Sequence, residues 1–195
     1  MAQAIIAATP FEGEDRGTPY LGMMVALVSW AMMFAALFLS YLLLRAQQQT
    51  WPPLGTPPLP MAMGVLNTGI LLASSATFAW AARQVARQRQ HRFVGGLIAS
   101  TVLGFGFLAL QLLLWQQTHT AGLGLRQIFG GLFYLLSWFH AAHIVGGLAA
   151  MIWLLFGAFH HRYGPGRQVP VHLVGAFWHF LDVMWICMFV GIFLV

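Results

Sequence analysis

The chain has 195 residues, of which 59% are hydrophobic and only 7% are charged. A soluble domain carries about 25% charged residues, and several apolar runs here exceed 18 residues, so composition excludes a water-soluble globular protein and points to an integral membrane protein. The net charge of +5 arises from nine Arg without any Lys; these Arg fall between apolar runs, where they serve as topology signals and not as a nucleic-acid footprint.

Residues 1–17 form a short polar tail with Glu12, Glu14 and Asp15 against Arg16. No basic stretch precedes the first apolar run, so a cleaved signal peptide is not expected. The first span covers 18–44, has no formal charge and stops at Arg45. Five prolines between Trp51 and Pro60 exclude helix there and predict an extended loop. The second span, 61–82, carries Asn67 near its start and the small-residue patch Ala73-Ser74-Ser75-Ala76, which permits close helix approach in lipid.

Arg83, Arg87, Arg89 and Arg92 then predict a basic hairpin loop. The third span is 93–116, with Gly95, Gly96, Gly104 and Gly106, and a short loop with Arg126 follows. The fourth span, 128–159, is longer than the ~30 Å hydrocarbon core requires, so it must tilt or protrude. His160, His161, Arg162, Pro165 and Arg167 form the next loop, and the fifth span, 172–195, closes the chain. The sequence therefore predicts an all-α integral membrane protein with five transmembrane helices. Placing the Arg83–Arg92 loop in the cytoplasm puts seven Arg inside and leaves Arg45 and Arg126 outside. That predicts a cytoplasmic N-terminus and a periplasmic C-terminus. No internal repeat of the kind found in inverted-repeat transporters is evident. The single Cys187 precludes an intrachain disulfide and reads as a small packing residue.

The polar residues inside the spans are the candidate site. His140 and His143 are three apart in the fourth span, and His179 and Asp182 are three apart in the fifth, so each pair shares a helix face. A polar group at mid-membrane depth costs at least ~2.5–3.5 kcal/mol and points to a protein interior with a partner. The two segments are expected to face each other. Two chemistries suit this set: a hydrogen-bonded network joining two helices, or three imidazoles and a carboxylate holding a metal such as Zn²⁺. His-x-x-His lacks the adjacent Glu of a zinc peptidase, which removes the general base of that reaction. An independent metal-dependent membrane enzyme and a proton-coupled transporter centred on Asp182 are the rival classes. Trp138, Trp153, Trp178 and Trp185 read as packing and interface residues, and His160 and His161 as headgroup-level ones.

Four blocks carry a family resemblance. Trp51-Pro52-Pro53 with the Leu66-to-Thr77 stretch, Phe133-Tyr134 with Phe139-His140-x-x-His143 and Gly146-Gly147, and the Phe177-to-Trp185 stretch stand in order. They resemble subunit III of the haem–copper cytochrome c and quinol oxidases, and the likeness covers nearly the whole chain after Thr18. The chain is similar to the short bacterial five-helix members. The resemblance implies a non-catalytic, multi-pass subunit of the bacterial inner membrane that packs on oxidase subunit I, with subunit II in the same complex. It also implies haem and copper in those partners and none in this chain, bound phospholipid, support of proton uptake and active-site stability, and no nucleic-acid partner.

On that reading His140, His143, His179 and Asp182 form the intramembrane polar network, with Asn67 and Trp30 as further candidates; catalytic, cofactor-binding and metal residues are not expected. Trp30 stands where the family usually has a buried Glu. Leu114 takes a second Glu position and His172 falls where many members have a third. Asp182 is thus the remaining carboxylate of the spans, and a proton-buffering role inherited from the family loses its usual acids.

Overall fold

In the computed structural model, residues 17–164 and 166–194 are described. The expected tail up to Arg16, Pro165 and the terminal Val195 lie outside them. Five helices follow in order: α1 Gly17–Ala46, α2 Met61–Ala86, α3 Gln90–Thr120, α4 Ile128–Phe159 and α5 Val169–Phe189. A π-helical turn, Val190–Leu194, ends the described chain. Each helix, with α5 extended by that turn, is long and apolar enough to cross a membrane.

The helices run past the apolar stretches that predict them. α2 continues to Ala86 and α3 begins at Gln90, so Arg83 and Arg92 lie in helix and only three residues link the pair. A helix satisfies its own backbone hydrogen bonds, so it has no reason to stop at the edge of the hydrocarbon. α5 starts at Val169, earlier than expected, with Pro170 in its first turn where a missing N–H costs nothing.

Three helices end by one device. Gln88, Gly122 and His161 have φ values of 56°, 93° and 52°. The next residue then bonds back five positions, as Arg89 N–H to Gln84 O, Leu123 N–H to Thr118 O and Arg162 N–H to Gly157 O. This left-handed closure satisfies otherwise orphaned carbonyls.

α2 and α3 pack most extensively. Ser74 and Ser100 exchange hydrogen bonds through hydroxyls and backbone carbonyls at 2.8–3.1 Å. A β-carbon on Gly96 would fall 2.8 Å from that of Ala81, so glycine sets the approach. The main core joins α2, α3, α4 and α5 around Leu71, Phe78, Phe107, Leu148, Trp178 and Trp185. A second core gathers Phe34, Tyr41, Phe129, Phe133 and Met188 towards the Trp51 loop. There the Tyr41 hydroxyl donates to Gly191 O in the π turn at 2.9 Å and accepts from Trp51 Nε1 at 3.2 Å. α1 touches α4 and α5 only along one edge and leaves most of its apolar surface uncovered.

Candidate functional site

Trp178 sets the seam between α4 and α5. Its indole lies in a slot made by two glycines: a β-carbon on Gly147 would sit 2.8 Å from the ring, and one on Gly104 would sit 3.0 Å away. The side chain is wholly buried. α3, α4 and α5 therefore meet closely at one level, and this contact fixes how the neighbouring polar residues are turned.

The four expected network residues separate into two pairs. His140 is fully buried, with its ring centre 5.3 Å from Trp185, 5.8 Å from Phe107 and 6.3 Å from Phe34. Among the described residues neither ring nitrogen has a hydrogen-bond partner. His143 points towards α1, against Phe34 and Trp30 at 5.2 and 5.7 Å, and its Nδ1 lies 2.6 Å from Phe139 O of its own helix. The second pair faces α2. His179 Nδ1 lies 3.6 Å from Asp182 Oδ2 and 2.5 Å from the Ser75 hydroxyl. The Asp182 side chain is 7% exposed, whereas that of His179 is 46% exposed. Among the described residues no hydrogen bond joins the α4 pair to the α5 pair. The α4–α5 seam is held instead by Trp178 in its glycine slot.

Trp30 packs on Phe177 at 4.8 Å, so an indole ties α1 to α5 at the level of His143. Asn67 Nδ2 donates to Gln111 Oε1 at 2.9 Å, and both amides are buried between α2 and α3. Gln111 and Ser75 join the candidate residues, Ser75 having been expected only as part of a small-residue patch. Their signal was an amide or hydroxyl inside an apolar run, which needs a partner wherever it is buried. Cys187, expected as a packing residue, is exposed on the surface of the bundle. Trp178 and Trp185 are buried, while Trp138 and Trp153 face outwards. Among the described residues no three His, Cys, Asp or Glu side chains are grouped so as to hold a metal.

One end of the bundle carries a cleft of about 1150 Å³ between the start of α1, the end of α4 and the start of α5. Arg162, Tyr163 and Arg167 stand on its rim above walls formed by Met23, Trp153 and Leu173. Tyr163 packs edge-on to Phe93 at 6.1 Å. Burial pushes its phenol above the ordinary range and the Arg162 charge opposes the shift. The phenol therefore keeps its proton near neutrality and can donate a hydrogen bond.

Comparison with known proteins agrees with the motif blocks. The family model for cytochrome c oxidase subunit III matches residues 13–195. The chain is 30% identical over 171 residues to cytochrome c oxidase subunit 3 of Thermostichus vulcanus, covering 87% of this chain and 83% of the relative. It is 28% identical over 204 residues to that of Struthio camelus, covering 97% and 76%. The match to the Gallus gallus protein is 28% over 145 residues; it covers 73% of this chain but only 54% of the relative, about half its length.

Proposed function

Because the chain belongs to the cytochrome c oxidase subunit III family, we propose that it is a non-catalytic subunit of a haem–copper terminal oxidase in a bacterial cytoplasmic membrane. In this reading subunits I and II hold haem and copper and reduce dioxygen with electrons from cytochrome c, coupled to proton translocation. The donor follows the relatives' names; a quinol-fed complex of the same superfamily is the variant reading. This chain packs beside subunit I, binds phospholipid, keeps proton uptake fast and protects the active site during turnover.

The observation that carries a supporting role is the use made of the polar side chains in the spans. Asn67, Gln111, Ser74, Ser100, Thr68 and Trp185 are spent on bonds between helices. His140 is enclosed by Phe34, Phe107 and Trp185, and among the described residues no group of three His, Cys, Asp or Glu forms around it. These contacts support a reading in which haem and copper are held by the partner subunits.

The cleft supports the lipid role. Two guanidiniums and a phenolic donor at its rim suit a phosphate, and its apolar walls suit acyl chains. The Arg distribution supports placing this end in the cytoplasm. Six of the eight described Arg lie at this end, with Arg45 and Arg126 at the other.

Deleting this chain from the native oxidase tests the reading. The remaining complex is expected to reduce dioxygen at first and then to inactivate during sustained turnover, with slowed proton uptake. Immediate loss of dioxygen reduction with haem and copper content intact would place chemistry in this chain and overturn the proposal.

A further inference from the structure

His179 is the eleventh of the 21 residues of α5, so it lies about 15 Å from the helix start at 1.5 Å per residue. That is half of a ~30 Å hydrocarbon core. Its side chain is nevertheless 46% exposed on the outside of the bundle. Several other polar groups on the outer surface of the described spans are satisfied within their own helices. The Ser29 and Ser40 hydroxyls donate to the carbonyls of Val25 and Ala36 at 2.8 Å. His143 stands behind Trp30 and Phe34. The outward surfaces of α1 and α3 near mid-membrane are Val28, Met32, Val102 and Phe105, which lipid covers without cost.

His179 is also supported from within. Asp182 and Ser75 both lie on Nδ1, which leaves Nε2 without either of them. The Ser75 hydroxyl takes up Nδ1, so Nε2 is the nitrogen left for an outside partner, as acceptor or donor according to the tautomer. An acyl chain cannot satisfy Nε2, and an unsatisfied polar group in hydrocarbon is costly. Ala176, three residues before His179 on α5, and Ala76, next to Ser75 on α2, are both exposed. Small residues of this kind let a further helix approach closely.

We propose that the α2–α5 face centred on His179 is the seat of a transmembrane helix of the haem-bearing oxidase subunit, which presents a hydrogen-bonding side chain to His179 Nε2 at mid-membrane depth. This rests on the oxidase-subunit reading above and adds to it which face is covered and by what chemistry. The Ser75–His179–Asp182 cluster is then one half of an intersubunit hydrogen-bond network, with Asp182 orienting the ring.

The test places a photo-crosslinking amino acid at Ala176 or Val183, and at Val102 or Phe105 as controls on α3, in the intact oxidase in native membranes. The first two positions are expected to give adducts mapping to one helix of the haem-bearing subunit, near a hydrogen-bonding side chain. The α3 positions are expected to give lipid adducts. In parallel, His179→Leu should lower retention of this chain on the haem-bearing complex during graded detergent washing by roughly three- to tenfold, while His179→Gln keeps most of it. Should His179→Leu fail to insert, the crosslinks alone decide. Adducts to the haem-bearing subunit from α3 with lipid adducts from α5 would overturn the chosen face and leave the subunit reading standing. Adducts between two copies of this chain, or unchanged retention of His179→Leu, would overturn the proposal. Failure of any haem-bearing subunit to copurify with this chain would overturn the subunit reading itself.

Discussion

Gly146 and Gly147 are neighbours in sequence and opposites in environment. A β-carbon on Gly147 would press on Trp178, whereas one on Gly146 would meet nothing within 4 Å. Gly147→Ala is therefore expected to destabilise the bundle by about 1–3 kcal/mol, the usual cost of overpacking. Gly146→Ala should change stability by less than about 0.5 kcal/mol. Denaturant titration of the two variants in detergent checks the difference, and equal losses would contradict the slot. The face of Ala142 and Gly146 is consequently an outward one, available to lipid or a partner and not used in internal packing. At this scale the sequence was legible in part. Spacing correctly joined His179 to Asp182, because a separation of three is a local helical fact. It could not show that His140 turns into an aromatic cage while His143 turns towards α1. That division depends on helix rotation, which the glycines around Trp178 set through contacts distant in sequence.

The helices themselves are the most readable level. Apolar runs gave all five, and the proline-rich stretch from Trp51 to Pro60 is the non-helical link it was expected to be. Their ends are less readable: Arg83 and Arg92 lie in helix and not in the expected loop, because charge marks the edge of the hydrocarbon and not the end of hydrogen bonding. The closures at Gln88 and His161 are not visible in sequence, since glycine is the residue that normally announces a left-handed position. Both sites are exposed, and a non-glycine residue there costs roughly 1 kcal/mol. Gln88→Gly and His161→Gly are thus each expected to raise stability by about 0.5–1 kcal/mol. Thermal denaturation of the purified chain would show this as a higher midpoint; a lower midpoint would mean that the side chain at that position makes a contact outweighing the strain. The cleft at the end of α4 makes a separate prediction. Arg162→Ala together with Arg167→Ala should remove most phospholipid that remains bound after detergent washing, as measured by native mass spectrometry. Unchanged lipid content would move the lipid elsewhere.

For the whole molecule, the uneven distribution of charge between the two ends carries the orientation. With Arg83, Arg87, Arg89, Arg92, Arg162 and Arg167 at one end, the bundle is expected to insert with that end in the cytoplasm. Single cysteines in a Cys187→Ser background check this: residues of the Trp51 loop should react with an impermeant reagent from the periplasmic side only. The family was legible because four motif blocks stand in order along the chain. Where their polar residues point was not, because that is decided by packing between helices, and here packing leaves His179 on the outer surface.

The central claim is that this chain is one subunit of a haem–copper oxidase. Its most direct test is to purify the tagged chain from native membranes in mild detergent and record the reduced-minus-oxidised haem spectrum, copper content and subunit stoichiometry. The account predicts one copy of this chain per haem–copper unit, and metal content unchanged by His140→Ala. A chain that purifies without haem, or that carries its own stoichiometric metal lost on His140→Ala, would contradict it.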